Sequence, residues 1–403
     1  MFRKSLSFLQ EFSIPLVAGV LAALLIANLD YELYHEWFHL HNLFGDLELL
    51  GHPITFHFLI NDLFMVLFFG IAAVEITQAV RPGGSLNPIS RAINPLLGTL
   101  GGVVGPVGVY FAMTYMLHPE PFETVLTGWG VPTATDIALA WLVARIVFGD
   151  RHPAVSFLLL LAVADDAIGL GIIAVFYPDP QHPVEVYWLG LTLLGMASAF
   201  GLRLMNVRNF WLYILIGGTL SWLGLIMAHL HPALALVFIV PFIPADNSRH
   251  EQLFADEVSD HSPLVQFEHS FKLIVDIGLF GFGLANAGVQ FAGINEVTWI
   301  VLGSLVIGKT VGITLLSGVS HALGFRLPQG MNMRTLILAG LVAGLGLTVA
   351  LFVAGEAFTD PATGLANETV RGAGKMGAVF SAGVAVVAII LGRVLNIQKI
   401  KSE

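Results

Sequence analysis

The sequence predicts an all-α polytopic membrane protein with about twelve transmembrane helices. The chain has 403 residues, of which 56% are hydrophobic and 11% are charged, and its mean hydropathy is +0.81. So few charges could not cover a water-exposed surface. Apolar runs of about 20 residues, the length that crosses a hydrocarbon core of roughly 30 Å, recur along the chain. We therefore expect residues 1–403 to form a single membrane domain.

The predicted spans are apolar runs that end at polar residues, prolines or glycines. The first run follows Arg3 and Lys4 and continues as an ordinary span, so we expect a retained helix rather than a cleaved signal peptide. The twelve runs lie at residues 12–28, 58–76, 93–117, 124–148, 154–176, 184–204, 209–228, 232–245, 264–288, 297–324, 335–358 and 371–395.

Lysine and arginine residues predict the orientation of the spans, because both are retained on the cytoplasmic side of a membrane. With the N-terminus inside, the cytoplasmic connections and the two termini hold most of the 18 lysines and arginines. The outer loops are acidic instead. We therefore expect a multi-pass protein with both termini in the cytoplasm.

The first outer loop contains the segment LELLGHPITFHF at residues 47–58, in which apolar and polar residues alternate around Gly51 and Pro53. This pattern predicts a short β-hairpin. An exposed hairpin edge has backbone groups that can pair with another chain, so the hairpin is a candidate contact between subunits.

Composition excludes several classes of function. The formal charge of −10, without a basic patch that includes aromatic residues, argues against nucleic-acid binding. The chain has no cysteine, which excludes disulfides and thiolate metal sites. The segment GLGL at residues 344–347 has leucine where an aspartyl intramembrane protease carries a catalytic aspartate. We expect a protein that is not an enzyme and has no cofactor.

Four ionisable residues lie near the middle of apolar runs. Asp136 follows Pro132 and two threonines that weaken regular helical hydrogen bonding, so a broken helix is predicted there. Asp165 and Asp166 lie roughly 16 Å deep in the fifth run, at about 1.5 Å per residue. Lys309 is central in the tenth run. Each charge would cost roughly 2.5–3.5 kcal/mol at a helix centre, so the set needs pairing, water or a function.

The paired aspartates predict a site where protons and cations compete. Consecutive helical residues point about 100° apart, so one of Asp165 and Asp166 can face Lys309 while the other lines a cavity. One lysine cannot neutralise two carboxylates. Burial favours the protonated carboxylate and a bound cation favours the ionised one, so exposing the site alternately to each side would produce antiport. Oxygen ligands suit a hard ion such as Na⁺ or Li⁺.

A second break is predicted in the eleventh run, where the segment LVAGLGLTVALF contains two glycines and a threonine. Such glycines also suit close helix packing. Their position favours a helix break, because the fourth and eleventh runs are the middle members of two three-span groups, approximately 93–176 and 297–395. A three-span group that recurs seven spans later has inverted topology. Asp136 and Lys309 would balance the partial charges of the half-helix ends.

Seven motifs occur in order along most of the chain. They are NDLFMVLFF at Asn61–Phe69, ATDIALA at Ala134–Ala140, the pair Asp165 and Asp166, ANAGV at Ala285–Val289, GKTVGI at Gly308–Ile313, RLPQG at Arg326–Gly330 and GLGLTVALF at Gly344–Phe352. Together they resemble the NhaA family of bacterial sodium/proton antiporters. Any one of them alone is a weak signal, whereas the ordered set is a strong one.

The resemblance implies a twelve-helix fold with crossed fourth and eleventh helices, located in the bacterial inner membrane as a homodimer assembled partly through the outer hairpin. It implies that Asp165 and Asp166 bind Na⁺ or Li⁺ and carry protons, with Thr135 near the ion. Asp136 and Lys309 would balance half-helix ends, and Lys309 would pair with Asp165 when no ion is bound. Transport would be electrogenic and would serve pH and sodium homeostasis.

The resemblance also suggests residues for a pH response. After Glu75 the family usually continues with a cluster of basic and acidic residues, whereas this chain continues with ITQA. Glu268 and His269 match a cytoplasmic acid and histidine pair of the family. Asp276 lies four residues after Lys272, a spacing that permits an ion pair or a second proton-accessible site.

A sodium- or proton-coupled symporter of a small organic solute on the same fold is the main alternative. It would need a roomy polar pocket, whereas the mid-depth positions are mostly small or apolar apart from the four charges. Cation exchange that requires no organic solute would separate the two functions.

Overall fold

The computed structural model describes residues 14–45, 47–49, 52–82, 84–87, 89–178, 182–245, 262–361, 363–397 and 399, so Arg3, Lys4 and Gly51 lie outside the described residues. The described residues are mostly helical. The helices are α1 (Ile14–Leu29), α2 (Tyr31–His35), α3 (Phe56–Val80), α4 (Ile89–Leu117), α5 (Phe122–Thr133), α6 (Ile137–Phe148), α7 (Pro153–Phe176), α8 (Val186–Leu204), α9 (Phe210–Met227), α10 (Pro232–Phe242), α11 (Pro263–Asn286), α12 (Glu296–Ala322), α13 (Met333–Val342), α14 (Leu347–Glu356) and α15 (Glu368–Val394).

Many of these helices are suited to a membrane. Within the described ranges, seven are long and apolar enough to cross one, namely α3, α4, α7, α8, α9, α12 and α15. Two bent pairs, α5 with α6 and α13 with α14, bring the number to nine if each pair is one span. The multi-span helical membrane protein predicted from the apolar runs is therefore confirmed.

Both predicted helix breaks are confirmed. The axes of α5 and α6 differ by 54° and those of α13 and α14 by 46°. The breaks contact each other, because the backbone N–H of Asp136 donates to the carbonyl of Leu345 at 2.6 Å. Gly346 permits this approach, since a Cβ there would lie 3.2 Å from the carbonyl oxygen of Ala134.

Glycines bring the backbones of α4 and α12 into direct contact. A Cβ on Gly312 would lie 2.0 Å from the carbonyl oxygen of Gly101, and a Cβ on Gly105 would lie 2.3 Å from that of Gly308. Any larger residue at these positions would force the helices apart. Lys309 lies between the two glycines of α12, so this contact fixes its position against α4.

A wider helical turn precedes Lys309 in α12. Residues Ser304–Gly308 form π-helical turns, and regular α-helix resumes at Lys309. A π-helical turn inserts an extra residue into an α-helix and thereby rotates the side chains that follow it. The direction of the Lys309 side chain therefore depends on this local irregularity.

The outer hairpin predicted around Pro53 is present in the described residues. Strands β1 (Glu48–Leu49) and β2 (His52–Pro53) pair antiparallel. The alternating segment was expected to extend to residue 58, but α3 begins at Phe56. Thr55 accounts for the difference, because its hydroxyl accepts a hydrogen bond from the N–H of Phe58 at 3.1 Å and caps the helix.

Candidate functional site

The four charges predicted at mid-depth lie where the two helix breaks meet α7 and α12. All four are buried, with exposed fractions of 0% for Asp165 and Lys309, 4% for Asp136 and 7% for Asp166. Isolated charges in such surroundings would be strongly unfavourable. Each must therefore have a partner in the protein or bind a proton or an ion.

Lys309 forms an ion pair with Oδ2 of Asp165. Its ammonium also donates to the backbone carbonyl of Thr133 and to the hydroxyl of Thr135, both at 2.8 Å. These three acceptors match the three N–H donors of an ammonium group. The carbonyl belongs to the last residue of α5, where a positive charge is favoured by the partial negative charge of a helix C-terminus.

The hydroxyl of Thr135 connects both breaks to α7. Its Oγ1 lies 2.7 Å from Oδ2 of Asp165 and 2.9 Å from the carbonyl oxygen of Ala343, and it accepts a hydrogen bond from Lys309. A hydroxyl has one hydrogen to donate, so it bonds to one of these two oxygens at a time. Thr135 therefore retains a partner if Asp165 turns to another ligand.

Asp136 caps two helices at once. Its Oδ1 accepts a hydrogen bond from the N–H of Leu139 at 3.0 Å, in the first turn of α6. Its Oδ2 accepts from the N–H of Thr348 at 3.3 Å, in the first turn of α14, and from the hydroxyl of the same residue. A carboxylate is favoured at the partially positive N-terminus of a helix. One negative charge here faces two such termini.

Asp166 has different surroundings from Asp165 although the two are adjacent. It lines a narrow cavity with Phe69, Ala72, Leu170 and Val349. Its Oδ1 is buried without a hydrogen-bond partner, and so is Oδ1 of Asp165. Buried polar atoms normally have partners, so these two oxygens are suited to accept a proton or an ion. Carboxylate and hydroxyl oxygens are the ligands that hard cations prefer.

The candidates for a pH response lie on α3 and α11. Glu75 on α3 interacts electrostatically with Glu268 on α11. Gln78, one of the residues that replace the family's charged cluster, donates to Oε2 of Glu268 at 3.1 Å. His269 is exposed and Asp276 is half-buried. The structure therefore brings Glu75 and Glu268 together and leaves His269 on the outside of α11.

Sequence reasoning did not assign a site role to Thr348, Asn61 or Asn286. Thr348 donates to Asp136, as described above. Asn61 and Asn286 are buried and exchange hydrogen bonds of 3.1 Å and 2.9 Å between α3 and α11. Both amides occur within motifs of the resemblance, and a buried amide in an apolar run was the signal that could have identified them.

Comparisons with known proteins agree with these features. A sequence profile of the family described as Na⁺/H⁺ antiporter 1 matches residues 6–391. The chain is 58% identical over 399 residues to a protein of Pelobacter propionicus named Na⁺/H⁺ antiporter NhaA 2, covering 99% of this chain and 100% of the relative. It is equally similar, with the same coverage, to the Na⁺/H⁺ antiporter NhaA of Geobacter sulfurreducens. The similarity to the Na⁺/H⁺ antiporter NhaA of Desulfitobacterium hafniense is 56% over 99% of this chain and 98% of the relative.

Proposed function

Because this chain belongs to the NhaA family of Na⁺/H⁺ antiporters, we propose that it exchanges cytoplasmic Na⁺ or Li⁺ for external protons by alternating access. The observation that carries the proposal is two adjacent buried aspartates of which only Asp165 pairs with a lysine, with an unpartnered oxygen on each aspartate. The protein is then a transporter rather than an enzyme, and the ions are its substrates rather than resident cofactors.

Competition for the same oxygens couples the two fluxes. A cation that binds Asp165 and Asp166 favours ionised carboxylates, whereas protons neutralise them and release the cation. Bound cation would replace Lys309 as the partner of Asp165, and Thr135 offers a further oxygen. If both carboxylates are protonated in one half of the cycle, more protons than sodium ions cross, and the exchange is electrogenic. Such exchange would serve pH and sodium homeostasis.

We further propose twelve spans with crossed broken helices in the fourth and eleventh positions. Length and hydropathy give nine spans, and three further helices would bring the number to twelve. These are the short apolar helices α1 and α10 and the charged helix α11. The contact between the two breaks supports a crossing. Inverted repeats at approximately 93–176 and 297–395 and cytoplasmic termini in a bacterial inner membrane follow from the same arrangement.

Two features outside the four-charge site have proposed roles in assembly and pH response, namely the outer hairpin and the interface of α3 with α11. We propose that the hairpin of β1 and β2 joins two copies of the chain in a homodimer. Glu75, Glu268, His269 and Asp276 would adjust activity to the cytoplasmic pH, because their charges lie at or near this helix interface.

Proteoliposomes test the exchange directly. We expect Na⁺ to drive a pH change inside vesicles that contain the wild type, and we expect Asp166→Asn and Asp165→Asn each to abolish it. A flat wild-type trace with Na⁺, Li⁺ and K⁺ would overturn the proposal and favour symport of an organic solute. The narrow, mostly apolar cavity at Asp166 gives that second function little support.

A further inference from the structure

Two residues that line the cavity at Asp166 lie on its outer side. On α7, Leu170 follows Asp166 by about one turn. On α3, Phe69 precedes Ala72, another residue of the cavity, by about one turn. In the proposed orientation α7 ends on the outer side, and α3 begins there after the hairpin of β1 and β2. Both residues therefore extend the cavity from Asp166 towards the outside, and Phe69 lies at its outer end.

A second phenyl ring closes this end of the cavity. The ring of Phe352 on α14 lies against Phe69, with centroids 5.3 Å apart and an angle of 83° between the ring planes. Aromatic rings favour this edge-to-face arrangement. Both residues are only 1% exposed. Phe352 lies three residues beyond Val349, the cavity residue of α14, and is thus displaced from the cavity towards the outer end of α14 by about 4.5 Å.

Polar side chains with partial exposure begin directly beyond the two rings. The imidazole of His231, the residue before α10, lies against Phe352 with centroids 5.7 Å apart. Its Nε2 is 3.8 Å from Oε2 of Glu356, and these two side chains are 13% and 29% exposed. Val349, Phe352 and Glu356 share one face of α14, because they are three and four residues apart. This face therefore passes from the ion cavity, through an apolar ring, to a polar outer end.

Helix α3 has the same order of side chains on the opposite side of the ring pair. Asp62 precedes Phe69 on the outer side and is half-buried. It interacts electrostatically with Glu356 at the end of α14. Glu75, on the inner side, acts electrostatically on Asp166. The two phenyl rings therefore form an apolar layer between Asp166 and the carboxylates of the outer side.

We propose that Phe69 and Phe352 form the outer gate of the cation site. While the rings touch, Asp166 is closed towards the outside, because a dry apolar constriction excludes a cation and its water. When α3 and α14 move apart, the cation passes between the rings to the carboxylate of Glu356. Phenyl rings have no hydrogen bonds to break, so the gate can open and close in every cycle. The inference rests on the proposed exchange, in which one site is exposed to each side in turn.

Removing both rings tests the gate. In the double variant Phe69→Ala/Phe352→Ala the outer side stays open, so the site is open to both sides at once whenever the inner side opens. Na⁺ can then cross proteoliposome membranes without a proton in exchange. We expect the number of protons moved per Na⁺ to fall at least about tenfold. The variant Phe69→Leu/Phe352→Leu keeps two large apolar side chains and should retain most of the coupling.

A second aromatic pair provides a matched control. Phe210 and Phe267 are buried between α9 and α11 in the same edge-to-face arrangement, with centroids 6.1 Å apart at 81°. Phe210→Ala/Phe267→Ala loses the same atoms away from the cavity and should keep the coupling of the wild type. Normal coupling in Phe69→Ala/Phe352→Ala, or an equal loss in both double variants, would overturn the gate. Absence of Na⁺-driven proton movement in the wild type would instead overturn the exchange function.

A single cysteine measures access to the cavity independently of transport, because the chain has no cysteine of its own. Ala72→Cys places a thiol in the cavity. The probe is 2-(trimethylammonium)ethyl methanethiosulfonate, a cation that does not cross membranes, applied to the outside of right-side-out membrane vesicles and detected by mass spectrometry. We expect the thiol to react at least about tenfold faster when Phe352→Ala is added and no faster when Phe267→Ala is added. Equal rates with and without the ring of Phe352 would contradict an outer gate at this position.

Discussion

The ion pair of Asp165 and Lys309 shows what a single residue contributes to this site. Removing one member of a buried pair leaves an uncompensated charge and costs about 3–5 kcal/mol, whereas replacing both members is close to neutral. We therefore expect Lys309→Met to lower the thermal unfolding midpoint of the purified protein strongly. The double variant Asp165→Asn/Lys309→Met should regain most of that loss.

The measurement compares both variants with the wild type in one detergent at about pH 8, where an unpaired carboxylate is disfavoured by burial. Asp165→Asn alone completes the set and isolates the coupling between the two residues. A double variant no more stable than Lys309→Met would mean that the pair does not hold the site together.

His152 gives a pH-dependent prediction outside the spans. Its Nδ1 accepts a hydrogen bond from the N–H of Ala154 at 3.1 Å and caps α7. Burial lowers the pKa of His152 below its ordinary value of 6.5. The neutral ring is therefore favoured in the fold, so its stabilising effect is complete above the ordinary pKa and is lost as the pH falls through the lowered value.

We expect the unfolding midpoint of the wild type to fall more between pH 7 and pH 5 than that of His152→Asn. Asparagine caps a helix without titrating, and such a cap is worth about 1 kcal/mol. His152→Ala should be less stable than both at pH 7. Parallel pH curves for the wild type and His152→Asn would show that the histidine cap does not titrate in this range.

The charged residues of the site could be identified from the sequence, and the family resemblance implied that Lys309 pairs with Asp165, but the backbone partners could not be identified. Asp136, Asp165, Asp166 and Lys309 stand out because charges are rare in apolar runs. The carbonyls that accept from Lys309 and Thr135 belong to backbone groups, which every residue has, so no sequence signal marks them. Spacing alone left open which aspartate faces the lysine, because that depends on the rotation of α7 and α12, whereas the family resemblance implied Asp165.

At the scale of helices, the contact between α4 and α12 determines where Lys309 lies. A Cβ on Gly312 would meet the carbonyl oxygen of Gly101 at 2.0 Å, and a backbone atom cannot rotate away. We expect Gly312→Ala to cost about 2 kcal/mol or more of stability. Exchange should fall as well, because Lys309 lies one turn earlier on the displaced helix. Thermal unfolding and proteoliposome transport measure the two effects.

Gly108→Ala is the control for this prediction, since it adds the same methyl group to α4 where no atom lies within 4 Å. It should leave both stability and exchange unchanged. A Gly312→Ala variant with normal stability would show that α4 and α12 can separate without consequence, contrary to the packing described above.

The helices themselves were largely predictable, because apolar runs of membrane length leave few alternatives. Both breaks were predicted from proline, threonine and glycine within such runs. The π-helical turns before Lys309 were not, because the one strong helix-disfavouring residue in Ser304–Gly308 is a glycine, and glycines also occur within regular helix elsewhere in this chain, as in α4. These turns are decided by packing between helices rather than by local preference.

At the scale of the whole molecule, the outer hairpin allows the proposed homodimer to be tested. Leu49 pairs with His52 across the two strands, and proline at position 49 would remove a backbone donor from the hairpin. We expect Leu49→Pro to shift the protein from dimer to monomer in light scattering after detergent extraction. Exchange per chain should persist, because the hairpin lies outside the four-charge site.

Leu49→Ala is the control, since it shortens the side chain and keeps the backbone donor. It should remain dimeric. An unchanged mass for Leu49→Pro would place the subunit contact elsewhere. The two broken helices were predictable from the order of the runs, but the way in which they meet depends on contacts between residues about 200 positions apart, such as Asp136 with Thr348.

The double cap formed by Asp136 also bears on the biosynthesis of the protein. The N-terminus of α6 and the Asp136 carboxylate leave the ribosome 212 residues before Thr348. Until then Asp136 has one helix to cap instead of two. Asp165 likewise lacks its partner until Lys309, 144 residues later, has been synthesised. The segment that contains Asp136 and Asp165 is therefore synthesised before the residues that balance its charges. The four-charge site is consequently completed only after α12 and α14 have been synthesised, so a chain truncated before α14 lacks a finished site.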